Sequence, residues 1–135
     1  MKVEKVADKY EEIEKLVRGK EVLDLGCLKH SIEQKEREGK EWVHGVIKEH
    51  AKFVLGVDIE KKGIEELKKK GYNIIYGKVD EIGFDIGKKF DVVFAGELIE
   101  HLDNLGIFLK NAKKHLKKGG LLVITTPNPY FFLRF

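Results

Sequence analysis

Two carboxylates and a histidine lie close together in the second half of the chain. Glu97, Glu100 and His101 form an E-x-x-E-H pattern, and on a helix these positions share one face. Such side chains bind divalent cations or exchange protons with a substrate. The alternative is that Glu100 and His101 only hydrogen-bond to neighbouring loops. Because no second histidine cluster follows, we predict no metal site. The three residues are the metal candidates and the candidates for catalysis, and no catalytic base is assigned.

Polar residues and glycines also follow the predicted strands. Gly26 comes after EVLDL, Asp58 ends the next apolar run, Asp80 lies just beyond NIIYG, and Gly96 ends FDVVFAG. In an open parallel sheet, ligands bind outside the carboxyl ends of the strands. An acid at the end of the second strand can accept hydrogen bonds from both ribose hydroxyls, although Asp58 is also a good helix N-cap. The pattern predicts a nucleotide-like ligand at this edge.

Alternating strands and helices must position these residues. Apolar runs predict strands, and apolar residues at helical spacing predict helices between them. This order is typical of an α/β fold with right-handed crossovers and helices on both faces of a parallel sheet. We predict a Rossmann-like sheet of order 3-2-1-4-5 in a single domain, 1–135. The predicted strands are 21–25, 53–59, 73–77, 90–96 and 121–126, and the predicted helices are 2–18, 41–52, 61–71 and 105–116.

Composition narrows the class of protein. The chain has 135 residues, a net charge of +3 and lysines interleaved with glutamates, so nucleic-acid binding is not indicated. No apolar run is long enough for a membrane span, and the first residues show no signal-peptide pattern. The single cysteine, Cys27, fits a reducing compartment, so we expect a cytoplasmic protein without membrane attachment. The abundance of Lys and Glu leans toward a thermophile-like composition.

These motifs resemble those of class I S-adenosylmethionine-dependent methyltransferases, and in particular those of methyltransferase type 11-like proteins. The resemblance covers nearly the whole chain and is carried by VLDLGC, VLGVDIE, FDVVFAGELIEHL and HLKKGGLLVITTPNPY. It implies S-adenosyl-L-methionine as the cofactor and methyl transfer to an unidentified small-molecule or macromolecular acceptor. The cofactor-binding residues that we predict are Asp24, Gly26, Cys27, Asp58, Ile59, Val79, Asp80 and Gly96. The E-x-x-E-H segment resembles one found in small-RNA 2′-O-methyltransferases and in ubiquinone-pathway O-methyltransferases.

The chain departs from the family pattern in its glycine loop. Leu28 and His30 stand where glycines are expected, and they obstruct the approach of a pyrophosphate to the backbone. S-adenosylmethionine has no phosphate, and Asp24 could meet its ammonium group. The loop therefore disfavours an NAD-dependent oxidoreductase more than a methyltransferase. His30 and His44 are either structural or placed against the carboxylate of the methyl donor.

Other departures leave a second function open. Lys78 follows Gly77 where the family often has an acid, and the charged segment 33–41 is predicted to be a loop or helical insertion. Strands six and seven of the family are predicted to be missing. The rival function is an inactive methyltransferase-like module that binds the cofactor or a protein. The apolar segment PNPYFFLRF is predicted to fold back on the sheet, or to cover its edge in a homodimer.

Overall fold

A computed structural model describes residues 9–28, 42–96, 98–125 and 130–134. These ranges contain six strands, four helices and one short 3-10 helix at Ile99–His101. The strands are β1 (Glu21–Leu25), β2 (Phe53–Asp58), β3 (Ile74–Tyr76), β4 (Phe90–Gly96), β5 (Leu116–Thr125) and β6 (Tyr130–Arg134). The helices are α1 (Lys9–Val17), α2 (Val43–His50), α3 (Lys61–Lys69) and α4 (Leu105–Lys114).

The strands form one sheet of order β3-β2-β1-β4-β5-β6, in which the first five are parallel. This confirms the predicted Rossmann-like order 3-2-1-4-5. The predicted absence of further strands is wrong in one respect, because β6 pairs antiparallel with β5 through Leu122↔Leu133 and its neighbours. The described part of the apolar segment, Tyr130–Arg134, therefore pairs with the edge of its own sheet. The predicted insertion at 33–41 lies outside the described residues.

The main error in the predicted elements falls between α4 and β5. The sequence predicts a helix to about residue 116 and a strand from Leu121, whereas α4 ends at Lys114 and β5 already begins at Leu116. The register with β4 shifts here, since Phe90 pairs with Leu116 but Val92 pairs with Leu121. Gly119 adopts a φ of +77° in this irregular stretch, and glycine tolerates that conformation at little cost. The glycines thus mark a bulge within the strand.

Successive strand residues face opposite sides of the sheet, and each side packs against its own helices. On one side, Leu23, Val57 and Val93 lie in a core cluster with Phe108 and Ala112 of α4. On the other side, strand residues of the alternate set pack against helices α1 and α2; they are Val22, Val54, Val92, Phe94, Leu121 and Val123. This burial fixes the sheet, so the loops at the carboxyl ends of the strands start from fixed points.

None of the helices in the described part of the chain combines the length and the apolar character that a membrane span requires.

Candidate functional site

A cavity of about 140 Å³ opens at the carboxyl ends of β1, β2 and β3, beside the segment that follows β4. We call it the strand-end cleft. It brings together five of the eight residues predicted to bind a cofactor, namely Gly26, Asp58, Ile59, Val79 and Asp80. The other lining residues are Val57, Gly77, Lys78, Leu98, His101, Leu102 and Asp103. The predicted edge of the sheet is therefore the edge that holds the cleft.

The turn after β1 forms one wall of the cleft and depends on Gly26. This residue adopts a φ of +72°, and its N–H donates to the Val57 carbonyl at 2.8 Å. A Cβ at position 26 would lie only 2.9 Å from Leu98 Cδ1. Both the left-handed backbone and the close approach of Leu98 therefore favour glycine here.

Asp58 lines the cleft, but it is not the N-cap of α3, because Glu60 holds that position and makes no side-chain cap hydrogen bond. Its carboxylate lines the cleft, and Oδ1 accepts the N–H groups of Ile59 and Glu60 at 2.7 and 3.1 Å. Oδ2 accepts the Leu28 N–H at 2.9 Å, which ties the turn after β1 to the end of β2. A carboxylate has about four lone-pair sites, so these bonds leave acceptor capacity for a ligand. The ribose role stays a prediction.

The loop after β3 forms the opposite wall and is held by side chains from α4. The buried Asn111 amide donates to the carbonyls of Val79 and Glu81, both at 2.9 Å, one on each side of Asp80. Asp80 Oδ2 in turn accepts the backbone N–H groups of Asp103 and Asn104 at 2.8 and 3.2 Å. These bonds fix the loop backbone that faces the cleft.

Three predicted cofactor residues do not line the cleft. Asp24 is 3 % exposed and contacts His44, and burial raises the pKa of its carboxyl group. Cys27 is buried, and desolvation raises the pKa of its thiol, so it is not a reactive thiolate. Gly96 is half-buried between the side chains of Phe94 and Thr125. Their assignment to cofactor binding stays a prediction.

The E-x-x-E-H segment is only partly helical. Ile99–His101 forms a single 3-10 turn, and Glu97 lies outside the described residues. His101 is exposed and lines the cleft, and its Nε2 lies 3.9 Å from Glu100 Oε1. No group of three His, Cys, Asp or Glu residues in the described ranges is arranged to hold a metal ion. His101 is thus the one described member of this pattern that can face a ligand in the cleft.

Leu28 takes a different role from the obstruction that the sequence predicts. It is buried with Ile64 and Leu67 of α3, and a Cβ on Gly63 would lie 3.1 Å from its Cδ1. Its side chain therefore points into the core and anchors the turn, while its N–H binds Asp58. His30 lies outside the described residues, and the buried His44 does not line the cleft.

Sequence reasoning missed the apolar side chains that close the cleft. Leu98 and Leu102 flank the 3-10 turn and line the cavity, as does Asp103. The sequence feature that could have identified them is the set of apolar residues in GELIEHL, but the acidic residues and the histidine between them drew attention to a metal or catalytic role instead. Lys78 and Gly77 also line the cleft, so a cation stands there beside three aspartates.

Comparisons with known proteins agree with this geometry. A family model described as a methyltransferase domain matches residues 2–134. A ubiquinone biosynthesis O-methyltransferase of Coxiella burnetii is 30% identical over 128 residues, which cover 91% of this chain and 50% of that protein. One of Pelagibacter ubique is 37% identical over 79 residues, which cover 56% of this chain and 33% of that protein. The chain thus spans a third to a half of the length of these curated relatives.

Solved structures share the fold at low sequence identity. An S-adenosylmethionine-bound amino pentose methyltransferase from Micromonospora echinaspora is 20% identical, with a TM-score of 0.64 over 90% of this chain and 49% of that one. An N-methyltransferase from Bradyrhizobium japonicum in complex with S-adenosylhomocysteine is 17% identical, with a TM-score of 0.61 over 86% of this chain and 59% of that one.

Proposed function

The chain belongs to the class I S-adenosylmethionine-dependent methyltransferase family, and from this we propose that it binds S-adenosylmethionine in the strand-end cleft and transfers its methyl group to an oxygen nucleophile. The observation that carries the proposal is the convergence of Gly26, Asp58, Ile59, Val79 and Asp80 on one cavity. These five residues are among those that the family resemblance assigns to cofactor binding.

Each wall of the cleft suits a different part of the donor. The Asp58 carboxylate has one acceptor site left for a ribose hydroxyl, and Ile59 offers an apolar surface, 61% exposed, to one face of adenine. The fixed loop at Val79 and Asp80 offers polar groups to the adenine edge. Lys78 replaces the acid common in the family, so we assign the adenine contact to the Val79 backbone.

The bound donor supplies an electrophilic methyl group on a sulfonium, whose departure leaves a neutral thioether. The protein's main task is then to hold donor and acceptor in line. A hydroxyl acceptor must also lose its proton, and the exposed His101 imidazole at the cleft can take it. An oxygen acceptor is further supported by the names of the curated relatives at 30% and 37% identity.

Titration calorimetry tests the donor site directly. We expect the protein to bind S-adenosylmethionine and S-adenosylhomocysteine, and not NAD. Asp58→Asn should lower the affinity for S-adenosylmethionine and for S-adenosylhomocysteine by about tenfold or more, because charge-assisted hydrogen bonds contribute roughly 1.5–3 kcal/mol. Asp91→Asn is the matched control, since Asp91 lies at the other end of the sheet and should leave the affinity unchanged. A folded protein that binds neither sulfur ligand would contradict the proposal and favour the rival protein-binding module.

Transfer itself is tested with radiolabelled donor and a panel of hydroxylated and aminated acceptors. We expect label on oxygen, and we expect His101→Gln to slow transfer with little change in donor affinity. Label found only on nitrogen would overturn the oxygen assignment while leaving the donor site intact.

A further inference from the structure

The turn at Gly26 lacks the glycines of its family, yet it is held on both sides by side chains from the start of α2. Trp42 immediately precedes α2, and its Nε1–H donates to the Cys27 carbonyl at 3.1 Å. His44 lies in the first turn of α2, and its Nδ1 is 2.7 Å from Asp24 Oδ2. These contacts flank Gly26 in the chain, two residues before it and one residue after it.

The His44–Asp24 contact is fully enclosed. His44 is 1 % exposed and Asp24 is 3 % exposed, so neither group exchanges its partner for water. The 2.7 Å contact is a hydrogen bond, and when Asp24 is ionised its carboxylate can only accept, so that His44 Nδ1–H is then the donor. His44 Nε2 is buried and has no hydrogen-bond partner among the described residues. Within the described residues, the ring is therefore bonded only through Nδ1. Removing the His44 imidazole would take from the buried Asp24 carboxyl group the side-chain hydrogen bond that the described residues give it.

The surroundings of His44 are shaped to admit the ring. A Cβ at Gly56 would lie 2.9 Å from His44 Cε1 and 2.8 Å from Cys27 Sγ, so the missing side chain in β2 provides the space. The Trp42 and Tyr72 rings lie 5.1 and 6.0 Å from the imidazole. These rings enclose the imidazole and define its position relative to Asp24.

We propose that His44 and Trp42 are positioning residues for the methyl-donor site, which hold the Gly26 turn from α2 in place of the absent loop glycines. The inference rests on the proposed donor site. Neither residue touches the cleft, so both act through Asp24, Cys27 and the Gly26 backbone between them. The donor part that this turn faces is the methionine moiety, whose ammonium and carboxylate require placed backbone groups and a nearby carboxylate.

The test compares variants by affinity for S-adenosylhomocysteine and by melting temperature. His44→Phe keeps an aromatic ring of similar volume but loses the ring nitrogen that bonds Asp24. We expect the affinity for S-adenosylhomocysteine to fall by about tenfold or more, as it does for other residues that orient a binding site without contacting the ligand. His44→Asn keeps an N–H near the position of Nδ1 and should bind within about threefold of the native protein. Trp42→Phe should weaken binding by about threefold, since one neutral hydrogen bond is lost.

His115→Phe is the control for general destabilisation. His115 is also 1 % exposed, but its Nδ1 bonds the Asn111 carbonyl and its Nε2 accepts the Ile86 N–H, away from the Gly26 turn. We expect a lower melting temperature with affinity unchanged within about twofold.

Equal affinity of native protein and His44→Phe would overturn the inference, as would equal losses in His44→Phe and His115→Phe. If His44→Phe does not fold, His44→Asn and Trp42→Phe decide, and native-like affinity of Trp42→Phe would then count against the role. Failure of the native protein to bind either sulfur ligand would instead refute the proposed function.

Discussion

The two ends of strand β1 carry carboxylates in opposite environments. At the amino end, Glu21 is half-exposed and bonded to Lys117 Nζ at 3.1 Å, and hydrogen bonds from Lys88 and then Lys117 lower its pKa to about 2. At the carboxyl end, Asp24 is buried beside a single histidine, and desolvation raises its pKa. Glu21 and Asp24 are separated by only two residues of one strand, yet lysine contacts stabilise the charged form of the first and burial disfavours the charged form of the second.

The same contrast extends across the sheet. At the amino end, Asp91 accepts the Glu21 N–H at 2.8 Å and bonds Lys117, and these contacts lower its pKa, the Glu21 N–H contributing most. At the carboxyl end, Asp58 and Asp80 accept backbone N–H groups and face the cleft. Proteins often keep destabilising or unneutralised groups where they bind ligands. From this difference we infer that the amino end contributes mainly to stability, and we propose that the carboxyl end serves the donor site.

The largest test of this division uses two glycines that both have a positive φ of similar size. Gly26 has a φ of +72° at the carboxyl end, and Gly119 has a φ of +77° at the amino end. Replacing either by alanine should cost about 1 kcal/mol of folding free energy, because L-residues are strained there. Gly26→Ala should also lower the affinity for S-adenosylhomocysteine by about tenfold or more, since the alanine side chain would displace Leu98 in the cleft wall.

Gly119→Ala should leave that affinity unchanged, because nothing lies within 4 Å of the added methyl group. Calorimetric titration and urea unfolding of both variants measure the two effects. Equal affinity losses in the two variants would contradict the division between the ends.

A smaller effect is expected from two buried residues one helical turn apart, Asn111 within α4 and His115 at its C-cap. Asn111 holds the carbonyls on both sides of Asp80, and His115 holds the Ile86 N–H ahead of β4. Asn111→Leu should lower the free energy of unfolding by about 1–2 kcal/mol, because the Val79 carbonyl loses the Asn111 amide and the Glu81 carbonyl keeps only the Phe84 N–H. The substitution should also lower the affinity for S-adenosylhomocysteine by about fivefold, because the loop that lines the cleft is held less firmly.

His115→Phe provides the comparison, with a loss of stability and an unchanged affinity. Hydrogen exchange at residues 79–81 would show the loosened loop directly. Unchanged exchange and affinity in Asn111→Leu would show that the cleft wall does not depend on α4.

The sheet was predictable from the sequence because buried parallel strands leave continuous apolar runs, and β1 and β4 match their predicted bounds. The start of β5 was missed because Gly119 and Gly120 are typical of a helix end, whereas here they accompany a register shift. The edge strand β6 was not predicted as a strand, although it pairs with the strand directly before it, with Tyr130 opposite Thr125.

The site was predictable where a residue's place on a strand fixes its position. Gly26, Asp58 and Asp80 reach the cleft for this reason. The role of Leu28 was not predictable, because its direction depends on the space beside Gly63 in α3. The pairing of Asp24 with His44 was hidden too, since α2 brings the imidazole from 20 residues away.

The smallest effect concerns pH at the amino end. A carboxyl group whose pKa in the folded protein lies below its ordinary value stabilises the fold at pH values above that ordinary value. For Glu21 this contribution is complete above about pH 4.5 and is lost as the pH falls toward about 2. Asp24 acts in the opposite direction, because a raised pKa makes its ionisation unfavourable in the folded state as the pH rises above 3.8.

Urea unfolding of the native protein and of Glu21→Gln between pH 2 and 6 separates these contributions. We expect the native protein to lose more stability than Glu21→Gln as the pH falls through this range, and we expect 1 M salt to reduce the difference, because the lysine contacts of Glu21 are open to solvent. The affinity of Glu21→Gln for S-adenosylhomocysteine at pH 7 should equal that of the native protein. Identical pH profiles for the two proteins would show that the lysine-bonded carboxylate does not stabilise the amino end, and the contrast within β1 would then rest on burial alone.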